Sequence, residues 1–452
     1  MNTPKTFPTV QPVAPIGTSL AEPVKPVATQ DDSRWPHDKG KAHENFTQSK
    51  GRLATLFATN QRTLPDVRSF LYDRQVRLSA ALRALGGDPT RQQAYDLRDQ
   101  VNAWAEAYSP VAWYPKPKRN GGSRLISVLP PDLKAVHYMI AAIIDAHMPF
   151  APSLYGIPGA SRDDAARALK TLQSSGFHHL AKADIRDCFP SINPDALYQL
   201  PLPKEVIRQT LDYRTMTFTR ASDDGSKGAF ADCRHSRGVS YDNRNPSGPQ
   251  GLLQGSPASS IILAWLLGGI PHGDDDVVVL LCFDNIAVAG RTAESVRVMI
   301  DTLAVFFSQC PAGPLELRDC EYYSGEGEPL DFLGYSFDPA EVAPVVCPRS
   351  LDKLEKALCE AEEEYQSQRL IFPTGIWHVL RDARSGFSAA ADDDLNLTRF
   401  IESTADILRP DSGPLVEHLH KNIFAPRGTP EGEIIHVILQ AHPRPCKKLK
   451  GK

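Results

Sequence analysis

The chain has no excess of positive charge. Its 452 residues carry 50 Lys and Arg against 54 Asp and Glu, a formal net charge of −4. That balance excludes a protein that draws nucleic acid through its overall field, so any basic groove has to be local. The eight cysteines include no Cys-x-x-Cys pair, and none stands with histidines at zinc-finger spacing. A structural zinc is therefore not expected, and the thiols read as free in a reducing compartment. Long apolar runs are missing too. The longest, residues 261–270, falls short of the roughly 18–20 residues that span a bilayer, and it contains Gly268-Gly269. No apolar segment of signal-peptide type opens the sequence, so a cytoplasmic protein with no membrane partner is expected. No internal repeat is present.

Proline is crowded at the start, at positions 4, 8, 12, 15, 23 and 26. Helical or strand periodicity does not survive such spacing, and residues 1–40 read as a disordered or extended tail. Residues 41–110 read as helical. Leu64-Pro65-Asp66 starts a helix whose apolar residues (Phe70, Leu71, Val76, Leu78, Leu82, Leu85) recur at helical spacing until Gly86-Gly87-Asp88-Pro89. Residues 111–118 then read as extended, Arg119-Asn120-Gly121-Gly122 as a hairpin turn and residues 123–128 as the returning strand. Helices are predicted over 131–146, 163–172, 256–267 and 293–307. A tight hairpin is predicted over 277–289, short strands near 315–317 and 332–337, and a long polar loop or ragged hairpin over 220–248. From residue 350 onward the pattern is helical again, and residues 441–452 form a basic tail.

Two of these elements carry the chemistry. An apolar strand ends at Asp184 within Lys182-Ala183-Asp184-Ile185-Arg186-Asp187-Cys188-Phe189, and another ends at Asp284 within Leu280-Leu281-Cys282-Phe283-Asp284-Asn285. Burying a carboxylate beside a strand core is costly without positive charge nearby. A divalent metal at the strand ends is the simplest partner for two of them. Either Asp alone is an ordinary turn or cap residue; the pair, each inside a fuller motif, is not.

Asp184-Ile185-Arg186-Asp187-Cys188-Phe189-Pro190-Ser191-Ile192 resembles the first palm motif of bacterial reverse transcriptases of the retron and group II intron kind. Leu253-Gln254-Gly255-Ser256-Pro257 resembles that family's Pro-Gln-Gly-Ser-Pro motif, Phe332-Leu333-Gly334-Tyr335 its primer-gripping turn, and Tyr114 to Ile126 its fingers hairpin. Ser153-Leu154-Tyr155-Gly156-Ile157-Pro158-Gly159 is similar to a further fingers segment. The matches run in the family's order over roughly residues 111–340. The resemblance implies an α+β right-hand polymerase: fingers and an antiparallel-sheet palm over 111–340, and an α-helical thumb over 341–440. The implied activity is RNA-templated DNA synthesis from deoxynucleoside triphosphates, with two Mg2+ ions (Mn2+ as the alternative), an RNA template and a DNA product duplex as partners. A non-coding RNA or a protein partner and a role in phage defence are analogies from size and type.

By the same resemblance, Asp184, Ile185 (through its carbonyl), Asp284 and Asn285 hold metal, with Asp184 and Asp284 as the catalytic acids. Arg124 and Lys116 meet the triphosphate, Phe189 excludes a 2′-hydroxyl, and Gln254 with Gly255 lies against the nucleotide. Tyr155, Gly156, Phe332, Leu333, Gly334 and Tyr335 face primer or template. Phe189 is equally a core aromatic, and Lys116 and Lys118 a solvated basic turn. The sequence also departs from the family in three places. Asn285 stands in place of a second acid, Cys282 in place of an aromatic, and Leu315 to Glu321 contains Arg318 but no lysine. These departures leave RNA-templated RNA synthesis, untemplated DNA synthesis and a non-catalytic nucleic-acid scaffold as rivals. No Cys/His nuclease cluster follows residue 341, which argues against an intact group II intron protein.

Overall fold

Pro36 lies in the first turn of the first helix, where its missing N–H is no loss, and the chain is helical from there: α1 spans Trp35–Ala58. The computed structural model describes residues 34–59, 64–118, 123–147, 150–221, 248–324 and 329–368, with 375–376, 378–379 and 386–390. The helix begins inside the stretch expected as tail; residues 1–33 lie outside the described residues. Trp35 is the reason. Its ring is buried in a cluster with Leu78 and Ala94, and its indole N–H donates to the carbonyl of Pro89 at 3.1 Å.

The single helix expected over 64–85 is two, α2 (Leu64–Tyr72) and α3 (Arg74–Leu85). Asp73 breaks it. Its backbone is extended, and its carboxylate accepts the N–H groups of Gln75 and Val76, capping the second helix. A capping box of Thr90 and Gln93 starts α4 (Arg91–Gln100).

Strands β1 (Val111–Pro117) and β2 (Ser123–Val128) pair antiparallel, with Lys116 opposite Arg124. The turn expected at 119–122 lies outside the described residues. Helix α5 (Pro131–His147) buries Met139, Ile140, Ile143 and Ile144 completely. Then follow β3 (Leu154–Tyr155), α6 (Arg162–Ser174), β4 (His179–Ile185), the short α7 (Cys188–Ser191), α8 (Lys204–Thr210) and β5 (Phe218–Arg220), which runs parallel to β1. The polar loop expected over 220–248 falls outside the described residues from 222 to 247.

Helix α9 spans Ser259–Leu266, so Ser256-Pro257 precedes it and does not open it. Strands β6 (Val277–Cys282) and β7 (Asn285–Gly290) form the expected hairpin, and α10 (Ala293–Ser308) follows. The next strand, β8 (Leu317–Tyr323), begins where the sequence pattern had placed its end. Strands β9 (Leu330–Phe332), β10 (Tyr335–Phe337) and β11 (Val345–Val346) make a small sheet, and α11 covers Pro348–Gln368. The basic tail at 441–452 lies outside the described residues. Among the described residues no helix is long and apolar enough to cross a membrane.

The central sheet has the order β3-β6-β7-β4-β8, antiparallel except for β3 beside β6. Its strands alternate. Ala181, Ala183, Ile185, Val279, Leu281, Ile286 and Val288 join the main core. Leu180, Leu280, Ala287 and Ala289 join a second core with Ala166 and Leu169 of α6. Both faces carry buried apolar residues, and Asp184 and Asn285 lie at one end of the β4–β7 pair. The architecture is mixed α+β.

Candidate active site

Strand β4 brings Asp184 into register with Asn285 of β7 on one side and Arg318 of β8 on the other. Directly paired residues present their side chains to one face of a sheet, so these three converge. Asp284 sits in the two-residue turn between β6 and β7, and its carbonyl accepts the Ile185 N–H at 2.9 Å. The two acids therefore meet across adjacent strands although a hundred residues separate them.

The turn is held from both sides. Phe283 takes a left-handed φ of +59°. Its ring lies so close to Gly156 that a Cβ there would stand 2.6 Å from the Phe283 Cζ. Gly156 is thus the seat of the acid-bearing turn, beside Tyr155, which pairs with Cys282. Both were expected against primer or template. The Asn285 amide donates to Asp284 Oδ1 at 2.9 Å, which fixes that carboxylate and uses the amide as a donor.

Burial pushes the Asp284 carboxyl above its ordinary range, and the neighbouring Asp184 pushes it further; its own backbone N–H, Arg124 and Arg318 oppose this only in part. Cys188 is raised by burial and then by Asp284 and Asp184, which places its thiol in the same field. Asp184 is met by Arg318, whose Nε and one terminal nitrogen both donate to Asp184 Oδ2, at 2.9 and 2.7 Å. Among the described residues no group of three or more His, Cys, Asp or Glu converges as a metal site. What converges is a pair of carboxylates, one desolvated and repelled by the other. Two carboxylates are hard-oxygen donors, the type that a divalent cation takes.

Lys116 and Arg124 face each other across β1 and β2. Both side chains are exposed, so water screens the like charges they place opposite one another. Lys118 is engaged elsewhere, by Asp187 at 2.8 Å. Phe189 is half-buried at the edge of the main core.

The Gln254 carbonyl accepts the Ser127 N–H, while its side-chain Oε1 is buried without a hydrogen-bond partner. A buried acceptor of this kind is open to a donor from water or from a bound molecule. Gly255, at φ +118°, was expected to let a base pair approach. Instead it abuts the fingers-type hairpin, where a Cβ would lie 2.2 Å from the Ser127 carbonyl oxygen.

Phe332 and Tyr335 were expected at the primer, yet both are buried, Tyr335 completely. The Tyr335 hydroxyl donates to Asp163 at 2.9 Å. Only the turn residues Leu333 and Gly334, both at positive φ, remain partly exposed. Two residues of the site escaped the sequence pattern, Arg318 and Phe283. Arg318 alone had a signal, as the cation in a segment where the family carries a lysine.

Residues 114–337 match the model of the reverse transcriptase (RNA-dependent DNA polymerase) family. These residues form a reverse-transcriptase-family domain. Its two carboxylates, its Gln254 segment and its facing cations all fall inside the matched range, and the match supports nucleotidyl transfer of polymerase type as the class of activity. No curated protein matches the sequence. Among solved structures, the chain is similar to apo telomerase from Candida tropicalis, at 12% identity and a TM-score of 0.41, covering 74% of this chain and 62% of that one. Telomerase from Candida albicans, in complex with a fragment of telomeric RNA, gives 10% identity and 0.38, covering 70% and 57%. The C-terminally truncated apo telomerase from Candida tropicalis gives 11% and 0.38, covering 53% and 55%. The chain thus spans 55 to 62% of the length of these telomerase chains.

Proposed function

We propose that this protein is an RNA-templated DNA polymerase of right-hand architecture. In this reading β1, β2 and β5 belong to the fingers, the central sheet to the palm, and α11 to the thumb. One observation carries it: Asp184 and Asp284 are brought together at the end of the sheet, with Asp284 desolvated in the field of Asp184.

Asp184, Asp284 and the backbone carbonyl of Ile185 would hold magnesium, or manganese in its place. A cation held there would supply Lewis-acid chemistry, lowering the pKa of a primer 3′-hydroxyl and offsetting charge on pyrophosphate. The protein's own groups do the rest. Asn285 orients Asp284 through its amide. Arg124 and Lys116 bind the triphosphate, the guanidinium fork matching phosphate oxygens. Gln254 offers its orphaned Oε1 to an N–H of the incoming nucleotide or the template. Phe189 packs under the sugar and penalises a 2′-hydroxyl by overpacking, which selects deoxynucleotides.

Primer extension on an RNA template with labelled deoxynucleotides tests this. Asp184→Ala and Asp284→Ala should each abolish extension. Extension that survives both rules the assignment out. Ribonucleotides in the same assay decide between DNA and RNA synthesis, and omission of the template exposes untemplated synthesis. A second reading, a nucleic-acid-binding scaffold, is favoured by Asn285 in place of an acid and by the guanidinium already on Asp184. It predicts wild-type protein that retains template–primer and never extends it.

A further inference from the structure

Asp184 pairs with a guanidinium. Asp284 is held by the neutral Asn285 amide, and Asp187 by Lys118 from the hairpin. Arg318, by contrast, places two of its nitrogens on a single oxygen of Asp184, Oδ2, while both side chains stay partly open to solvent at 31% and 26%. A second acid, Asp319, lies 3.5 Å from the Arg318 Nε and is itself 73% exposed. The guanidinium thus has an alternative partner within a short rotation.

Electrostatics gives this arrangement a purpose. Two carboxylates side by side repel, and the fold removes one source of that repulsion at 285, where a neutral amide stands. Arg318 offsets what remains. A guanidinium is always charged in a protein, so it cannot vacate the carboxylate by losing a proton; it has to move.

We infer that Arg318 is the resident counter-ion of Asp184: it occupies the carboxylate oxygen that a divalent cation would take, and the site loads metal only as the guanidinium swings away. The inference rests on the proposed metal-binding role of Asp184. It makes metal affinity, rather than fold, the property that Arg318 sets.

The test uses the full chain without nucleic acid, with Mn2+ as the probe and its free-ion EPR signal as the readout. Arg318→Gln should bind Mn2+ roughly tenfold more tightly than wild type, the factor that one charge-assisted hydrogen-bonded contact is worth. Arg318→Lys, which keeps the charge and loses the fork, should gain less. Adding Asp184→Asn to Arg318→Gln should erase the gain. Unchanged affinity in Arg318→Gln, or a gain that persists with Asp184→Asn, overturns the inference. If the wild type extends primers while Arg318→Gln binds Mn2+ no better, the counter-ion role alone falls. If Asp184→Ala still extends primers and neither protein retains Mn2+, the reading of the site falls with it.

Discussion

A buried histidine sets the turn that precedes α9. His137 is 2% exposed. Its Nδ1 accepts from the Ser256 hydroxyl and its Nε2–H donates to the Thr210 carbonyl, each at 2.6 Å. Burial lowers its pKa from 6.5 to about 4, and the Thr210 contact opposes this only in part. Between those values the unfolded chain takes up a proton that the folded chain refuses. Stability is therefore complete above pH 6.5, falls as the pH drops toward 4, and is flat below, a loss of about 3 kcal/mol from this group. Urea midpoints measured between pH 7 and pH 4 should show that slope, and His137→Gln should lack this part of it. Gly156 gives a second prediction at the same scale. A methyl there meets the Phe283 ring at 2.6 Å, and its φ of +75° disfavours any side chain. Gly156→Ala should cost about 1–3 kcal/mol in stability. It should also cut the single-turnover rate more than it weakens template–primer binding, because the displaced turn carries Asp284.

Between elements, a dense polar tie is made by Asp163 at the start of α6. Its carboxylate accepts from the Tyr335 hydroxyl of β10 at 2.9 Å, from the Ser388 N–H and hydroxyl at 3.1 and 2.6 Å, and from Arg162 at 3.1 Å. Burial alone would raise its pKa, yet the hydrogen bonds from Ser388, Tyr335 and Arg162 outweigh burial and hold it low. Asp163→Ala leaves four donor groups, on three residues, without their acceptor and should cost about 3 kcal/mol, read from thermal or urea unfolding. Asp163→Asn keeps an acceptor and should cost clearly less. This tie also explains what the sequence concealed. A Phe-Leu-Gly-Tyr turn reads as exposed because its partner stands 172 residues away. Asp184 and Asp284 were legible because an apolar run that stops on a carboxylate is a local pattern. Arg318 was not, since its place opposite Asp184 depends on an irregularity in the β4–β8 register between Lys182 and Asp184. Gly255 was legible as a close approach, while the neighbour it approaches, Ser127, is set by how two distant segments pair.

For the whole molecule, the decisive fact is that one apolar core runs through regions that composition had divided. Residues 41–110 read as a helical region apart from the segment that follows. In the structure Phe46 and Leu53 of α1 and Val76 of α3 share a buried cluster with Ile140 and Ile143 of α5 and with Val279 and Ile286 of the central hairpin. Helix α5 is the shared wall: α1, α3 and α4 pack against it, and α9 does as well. Helical periodicity reports that a face is apolar and is silent on what covers it, which is why the boundary looked real in the sequence. The consequence is cooperative. Ile143→Ala removes a fully buried side chain and should cost about 2–5 kcal/mol. In urea it should lower the midpoints of ellipticity and of primer extension together, because the acids at 184 and 284 meet only in the folded sheet. Removing residues 1–100 is the sharper test. It strips the covering helices from Met139, Ile140, Ile143 and Ile144 and leaves a contiguous apolar face on α5. The shortened chain should aggregate or lack cooperative unfolding in calorimetry. A soluble, cooperatively melting fragment that still extends primers would show that the sheet keeps its own core.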